Sequence, residues 1–263
     1  MTDSTAFFDP SVKLSDGRMP LLGFGTWQLD GSSARDAVGW ALEAGYRHID
    51  TATGYGNEAQ VGAALQDSGL ARSEVFVTTK LPPDHVGRER QTIEESLTNL
   101  GTDYIDLWLV HWPPNGNAGV SSWGAFVQAC EDGHTRAIGV SNYSLDQIDE
   151  LTTATGVTPE VNQIKWSPLL YDTGLVAAHR DRGVVLEGYS PFRAGTLDHP
   201  GLVEIADRHG KLPAQVIVRW HLQHEVVVIP KSAQRERIAS NADVFDFELS
   251  DDDMAAIDAL GSR

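Results

Sequence analysis

The sequence predicts a TIM-type (β/α)8 barrel, and three observations carry that expectation. Apolar runs of strand length alternate with helical patterns eight times, the count such a barrel needs. The runs are mostly apolar rather than alternating, as parallel strands covered on both faces are. Many helical patterns stop at glycine, at Gly45, Gly69, Gly101, Gly133, Gly156, Gly183 and Gly210, a common helix end.

The units follow in order. LLGFGTW precedes SARDAVGWALEAG, and YRHIDTA precedes NEAQVGAALQDSG. VFVTTKL precedes RERQTIEESLTNLG, and IDLWLVHW precedes SSWGAFVQACEDG. TRAIGVSN leads to SLDQIDELTTATG, and PEVNQIKW to TGLVAAHRDRG. VVLEGYSP is followed by two helical patterns, PGLVEIADRHG and PAQVIVRWHLQHE. VVVIPKS leads to AQRERIASN, and SDDDMAAIDALGS reads as a C-terminal helix. Ahead of the units, VKLSDGRMP sets Asp-Gly between short apolar segments, the mark of a hairpin. A doubly wound sheet is the alternative, but it would normally carry a phosphate-binding glycine turn after its first strand. There GFGTWQ has Gln28 in place of the third glycine, and no GxxxxGK[ST] occurs. With no linker or low-complexity segment, residues 1–263 are expected to form one domain.

The chain carries 37 acidic against 20 basic residues, a net charge of −17. That excess argues against nucleic acid or an anionic membrane as partner. No apolar run is long enough to span a bilayer. The N-terminus lacks a leader pattern, so a cytoplasmic protein is expected. Cys130 is the single cysteine; it allows no internal disulfide and reads as a small buried hydrophobe. His221 and His224 lie three apart, but the glutamate and third ligand of a zinc site are missing. They read as surface residues at a helix end, and no metal is expected.

In such barrels the chemistry gathers where strands end. Asp50, Lys80, His111 and the pair Ser141-Asn142 end successive strands, spaced 30, 31 and 30 residues apart. They should converge on one mouth, with Tyr55 raised on the loop after Asp50. Taken singly, Asp50 could cap a helix, Lys80 could reach solvent, and His111 could be structural. Together at consecutive strand ends they are hard to explain by packing, since ionisable groups beside apolar strands need partners. Asp50 can hold the Lys80 ammonium. The ammonium favours the Tyr55 phenolate and lowers its pKa toward the working range. Tyr55 can then give a proton, and His111 can orient a substrate oxygen. No nucleophile with its base and no carboxylate cluster is evident. A carbonyl that receives a hydride fits this set.

The blocks GFGTW, AGYRHIDTATGYGNE, TTKL, NLGTDYIDLWLVHWP, IGVSNY, VNQIKWSP, GYSPF and VVVIPKSAQRERIASN resemble the aldo-keto reductase superfamily, among its small bacterial reductases similar to 2,5-diketo-gluconic acid reductases. They span residues 23–241 in family order. The resemblance implies an NADPH-dependent reductase of aldehydes or ketones with Asp50, Tyr55, Lys80 and His111 as its catalytic tetrad. It places Ser141, Asn142 and Gln163 at the nicotinamide carboxamide and Tyr189 against the nicotinamide ring. Gly25, Thr26, Ser190 and Phe192 would line the dinucleotide path. Lys231, Ser232 and Arg237 would meet the 2′-phosphate, and Asn241 the adenine. Independently, phosphate sites in these barrels often follow strands seven and eight, and Lys231, Arg235 and Arg237 cluster in an otherwise acidic chain. Arg235 itself reads as solvated.

Trp27 and Trp112 flank strand ends and are candidate pocket walls; Trp123 is a further candidate, and Trp40 reads as core. Three departures from the family pattern bear on range and affinity. Pro82 stands where longer members often have a tryptophan, Ser167 where a histidine is common, and Ser240 where a glutamate often contacts adenine. With a short tail after the final helix, the pocket is expected to be open and to take small aldehydes, dicarbonyls or keto-sugars. A monomer is expected. The alternative function is a nucleotide-binding redox sensor or regulatory subunit on the same barrel.

Overall fold

The computed structural model describes residues 10–192 and 195–261. The first nine residues, on which the absence of a leader was read, lie outside the described residues. Strands β1 (Ser11–Lys13) and β2 (Arg18–Pro20) form the antiparallel hairpin expected from VKLSDGRMP. Its tip is tied down where Ser15 N–H and Oγ–H donate to the Glu160 carboxylate at 2.6 and 2.9 Å. Glu160 directly precedes a barrel strand, so the hairpin lies at the N-terminal end of the barrel.

The barrel strands are β3 (Phe24–Gly25), β4 (His48–Asp50), β5 (Phe76–Leu81), β6 (Ile105–Val110), β7 (Thr135–Ser141), β8 (Val161–Lys165), β9 (Val185–Tyr189) and β10 (Val227–Val228). All eight are parallel, each beside its sequence neighbour. A parallel bridge between Leu22 and Val228 closes the ring. The bonds that seal it run from Gly23 N–H to Val228 O and from Val228 N–H to Leu21 O, at 2.9 and 2.8 Å. The fold is the expected (β/α)8 barrel.

Two strands are shorter than their sequence runs. LLGFGTW forms a ladder only at Phe24–Gly25, and VVVIPKS only at Val227–Val228. The chain is crowded there. A side chain at Gly23 would meet His48 Nδ1 at 2.5 Å and Ile229 at 2.9 Å. Pro230 has no N–H to extend β10.

The helices sit where the sequence places them: α1 (Gly31–Glu43), α2 (Glu58–Asp67), α3 (Glu89–Leu100), α4 (Val120–Glu131), α5 (Leu145–Thr155), α6 (Thr173–Asp181), α7 (Pro200–His209), α8 (Pro213–Gln223), α9 (Arg235–Ala242) and α10 (Asp251–Asp258). Each glycine named above as a stop has a left-handed φ, between 63° and 99°.

Two expectations fail here. Trp123 is no pocket wall. It lies on the inner side of α4, fully buried, with Nε1–H donated to Val157 O at 3.0 Å and its ring beside Phe126. Phe126 in turn stacks on Trp108 of β6, centroids 3.7 Å apart. His221 is not a surface residue either. Helix α8 is covered, so His221 is fully buried, edge-on to Trp220, and burial pushes it down to about 4. His224 reaches Asp258 of α10 at 2.8 Å. Arg235 is solvated as expected and pairs with exposed Glu43. Trp40 packs partly buried against the core. Cys130 is half-buried, with its Sγ 3.6 Å from Arg136 O, and burial pushes its thiol up.

Candidate active site

The strand ends place the charged set as the spacing predicts. Asp50 ends β4 and Lys80 lies near the end of β5; both are buried. Lys80 Nζ donates to both Asp50 oxygens, at 2.6 and 2.7 Å, and to Thr51 O at 2.8 Å. Both carboxyl oxygens accept, so the pair is ionic. Burial works against each charge. For Lys80 burial is the largest single influence, but the charge and hydrogen bond of Asp50, with Tyr55 and Glu187, together outweigh it and hold the ammonium above its ordinary value. For Asp50 burial pushes the pKa up against the pull of Lys80 and Gln163.

Tyr55 sits on a single helical turn, Thr53–Tyr55, which Gly56 ends at φ 67°. The turn carries the ring back over the strand ends: Lys80 Nζ lies 5.2 Å from its centroid. His111, directly after β6, meets Tyr55 edge-on at 5.6 Å. Burial, then Lys80, pushes His111 down to about 3, so it is neutral at physiological pH. The expected lowering of Tyr55 needs correction. Lys80 does pull the phenol down, but burial outweighs it, aided by Asp50, and the pKa is raised. Tyr55 is therefore held as the protonated phenol.

These groups floor a cavity of about 860 Å³. Of the residues singled out from sequence, Gly25, Trp27, Asp50, Tyr55, His111, Trp112, Ser141, Asn142, Gln163, Tyr189, Ser190, Phe192 and Lys231 line it. Trp27 and Trp112 stand at its mouth, 54% and 48% exposed. Lys80 lies beneath the floor. Thr26 is buried behind the wall, giving both N–H and Oγ–H to Asp50 O at 3.0 Å. Ser232, Arg237 and Asn241 are not cavity residues. Ser232 and Asn241 are buried near the start and end of α9, and Arg237 is exposed on it.

The wall opposite the tetrad is linked by polar contacts. Ser141 Oγ–H donates to Gln163 O at 2.8 Å, and Gln163 Nε2–H to Asp50 Oδ2 at 2.7 Å. Tyr189 O–H donates to Asn142 Oδ1 at 2.8 Å, which fixes the ring at the cavity edge. Gln28, Asn142 and Ser190 hold left-handed backbones, φ 60°, 64° and 57°. Such conformations are costly for non-glycine residues and gather at functional sites.

Three residues escaped the sequence reading. Asn57 is buried and fixes the loop after β3: its Nδ2 donates to Thr26 O and Leu29 O at 2.9 and 2.8 Å, and its Oδ1 accepts from Thr51 at 2.8 Å. Glu187 is fully enclosed within the barrel, His48 Nε2 3.9 Å from one oxygen. Lys165, the last residue of β8, lines the cavity. The signals were a lone acid in VVLEGYSP and a lone cation in VNQIKW.

A closed parallel barrel with a buried acid–ammonium pair, a phenol and a neutral imidazole at its C-terminal mouth defines an oxidoreductase-type site. The chain belongs to the Aldo/keto reductase family, whose model matches residues 21–262. It is 45% identical to a morphine 6-dehydrogenase of Pseudomonas putida, over 95% of this chain and 91% of that one. The crystal structure of an aldo/keto reductase from Brucella melitensis superposes with a TM-score of 0.92 at 43% identity, covering 95% of this chain and 99% of that one. A Bombyx mori aldo-keto reductase, crystallised in complex with NADP, superposes with a TM-score of 0.87 at 35% identity, covering 95% and 92%. Among the described residues no helix is long and apolar enough to cross a membrane, and none of the His, Cys, Asp and Glu groups forms a metal-binding cluster.

Proposed function

We propose that this protein is an NADPH-dependent reductase of aldehydes and ketones, with Tyr55 as its proton donor. The observation that carries the reading is the stacked set Asp50–Lys80–Tyr55–His111 under one cavity.

The cavity suits a dinucleotide. Tyr189 offers an anchored ring beside Asn142 and Gln163, whose amides match a carboxamide. Lys231 lines the same cavity, and neither it nor Arg237 has an acidic partner within 4.0 Å among the described residues. Two such cations in a chain of net charge −17 suit a phosphate. Ser232 and Asn241, buried near the start and end of α9, would need its surface to open slightly to meet the adenosine end.

Bound NADPH would supply a hydride to the carbonyl carbon. The carbonyl oxygen would lie between Tyr55 and His111. As it gains negative charge, Tyr55 gives it the phenolic proton. The phenolate left behind faces the Lys80 ammonium, which Asp50 holds in place. His111, being neutral, donates a hydrogen bond and orients the oxygen. Trp27 and Trp112 present flat apolar walls to the rest of the substrate.

Tyr55→Phe is the test. It keeps the ring and removes the acid, which is typically worth roughly 10²–10⁴ in rate. The kcat for aldehydes and dicarbonyls, followed by NADPH absorbance, should fall by that factor while the NADPH Kd holds. Near-normal turnover would refute the reading.

A further inference from the structure

Lys165 is a cation that this reading leaves unused. It ends β8, where side chains alternate in direction. Gln163, two residues earlier, points inward and reaches Asp50. Lys165 therefore falls on the same face, one layer nearer the mouth, roughly 6–7 Å above Gln163. It pairs in register with Tyr189, and the two line the cavity side by side.

Its ammonium has no carboxylate within 4.0 Å and no hydrogen-bond partner among the described residues. Asp50 is the only described carboxylate among the cavity-lining residues, and Lys80 and Gln163 occupy it. The chain has nearly two acids for each base, yet this cavity holds Lys165 and Lys231 and, among the described residues, no carboxylate beyond Asp50, which Lys80 already neutralises. A cleft of one sign concentrates ligands of the other. Lys231 does not compete for the same place. It lies against Gly25 at the closure of the barrel, with β9 and β10 between it and β8.

We infer that Lys165 forms an anion subsite in this cavity and that its ligand is the carboxylate of a carbonyl substrate, an oxo acid or aldehyde acid. The inference rests on the reductase reading for the carbonyl's place. A phosphate of the dinucleotide has the same chemistry, so the experiment separates the two sources.

The measurement is kcat/KM for succinic semialdehyde and for its methyl ester with NADPH, on native protein, Lys165→Gln and Lys165→Glu, together with the NADPH Kd of each. Native protein should favour the acid by roughly tenfold, one charge-assisted contact screened by water. Lys165→Gln should lose the preference through KM, and Lys165→Glu should invert it. Ester turnover and the NADPH Kd should hold in both. Equal use of acid and ester by native protein, or a preference that survives both substitutions, overturns the subsite. So does a weakened NADPH Kd with the acid-to-ester ratio intact, which assigns Lys165 to a cofactor phosphate. If native protein turns over neither compound, the reductase reading fails instead. Succinate titrated against intrinsic tryptophan fluorescence, to which Trp27 and Trp112 at the mouth contribute, then reads the subsite alone: saturable binding lost in Lys165→Gln supports it, and identical curves overturn it.

Discussion

Glu187→Gln isolates the energetics of the barrel interior. Glu187 is fully buried on β9, and among the described residues neither of its oxygens has a partner at good hydrogen-bonding geometry. Burial, then the charge of Asp50, pushes it up to about 8, against the pull of Gln163 and Lys80. Its ordinary value is 4.5. Between those values the folded protein keeps a proton that the unfolded chain has lost. The unfolded state then binds fewer protons, so stability falls as pH rises through this window and levels off above about 8. The slope is at most about 1.4 kcal/mol per pH unit. From pH ~5.5 to ~7.5 the native chain should thus lose about 2–3 kcal/mol that a titration-free side chain does not. The substituted glutamine has the same shape and no proton to lose. Its unmatched amide costs a constant amount, which cancels from the pH dependence. Urea unfolding of both proteins at several pH values gives the comparison. Parallel curves would refute the claim that Glu187 is held neutral.

Arg237→Ala should raise the NADPH Kd at least tenfold and the NADH Kd much less, because only one cofactor carries the 2′-phosphate; fluorescence titration of both checks it. Lys80→Met should destabilise the fold by about 3–5 kcal/mol by leaving Asp50 charged and unpaired. Adding Asp50→Asn should recover part of that loss in chemical denaturation without restoring turnover. Asn57→Ala strands the carbonyls of Thr26 and Leu29 and the Thr51 hydroxyl. It should cost roughly 3 kcal/mol by the same assay.

Much of this site is legible without coordinates. A strand-plus-helix unit has a nearly fixed length, so polar residues 30, 31 and 30 apart at strand ends had to meet at one mouth. The ends of α1 to α7 were equally plain, because the chain leaves them through a left-handed backbone that glycine adopts freely. Asp50, Lys80 and His111 follow from that spacing, and Tyr55 from the glycines on either side of it. What the pattern withholds is anything that depends on a second element. Trp123 and Trp40 both lie in helical patterns, but only packing shows that Trp123 turns wholly inward. His221 ends a helix in sequence and is buried because neighbouring elements cover it. The Lys80 pull on Tyr55 was evident from residue types, whereas its sign of shift depends on burial. Glu187 and Lys165 share the same limit. Each is one charged residue in an apolar strand until closure of the barrel decides what it faces. Sequence periodicity reports the faces of one element at a time, and closure fixes which faces meet across the axis: Gln163 touches Asp50, 113 positions away, while no described carboxylate comes within reach of Lys165.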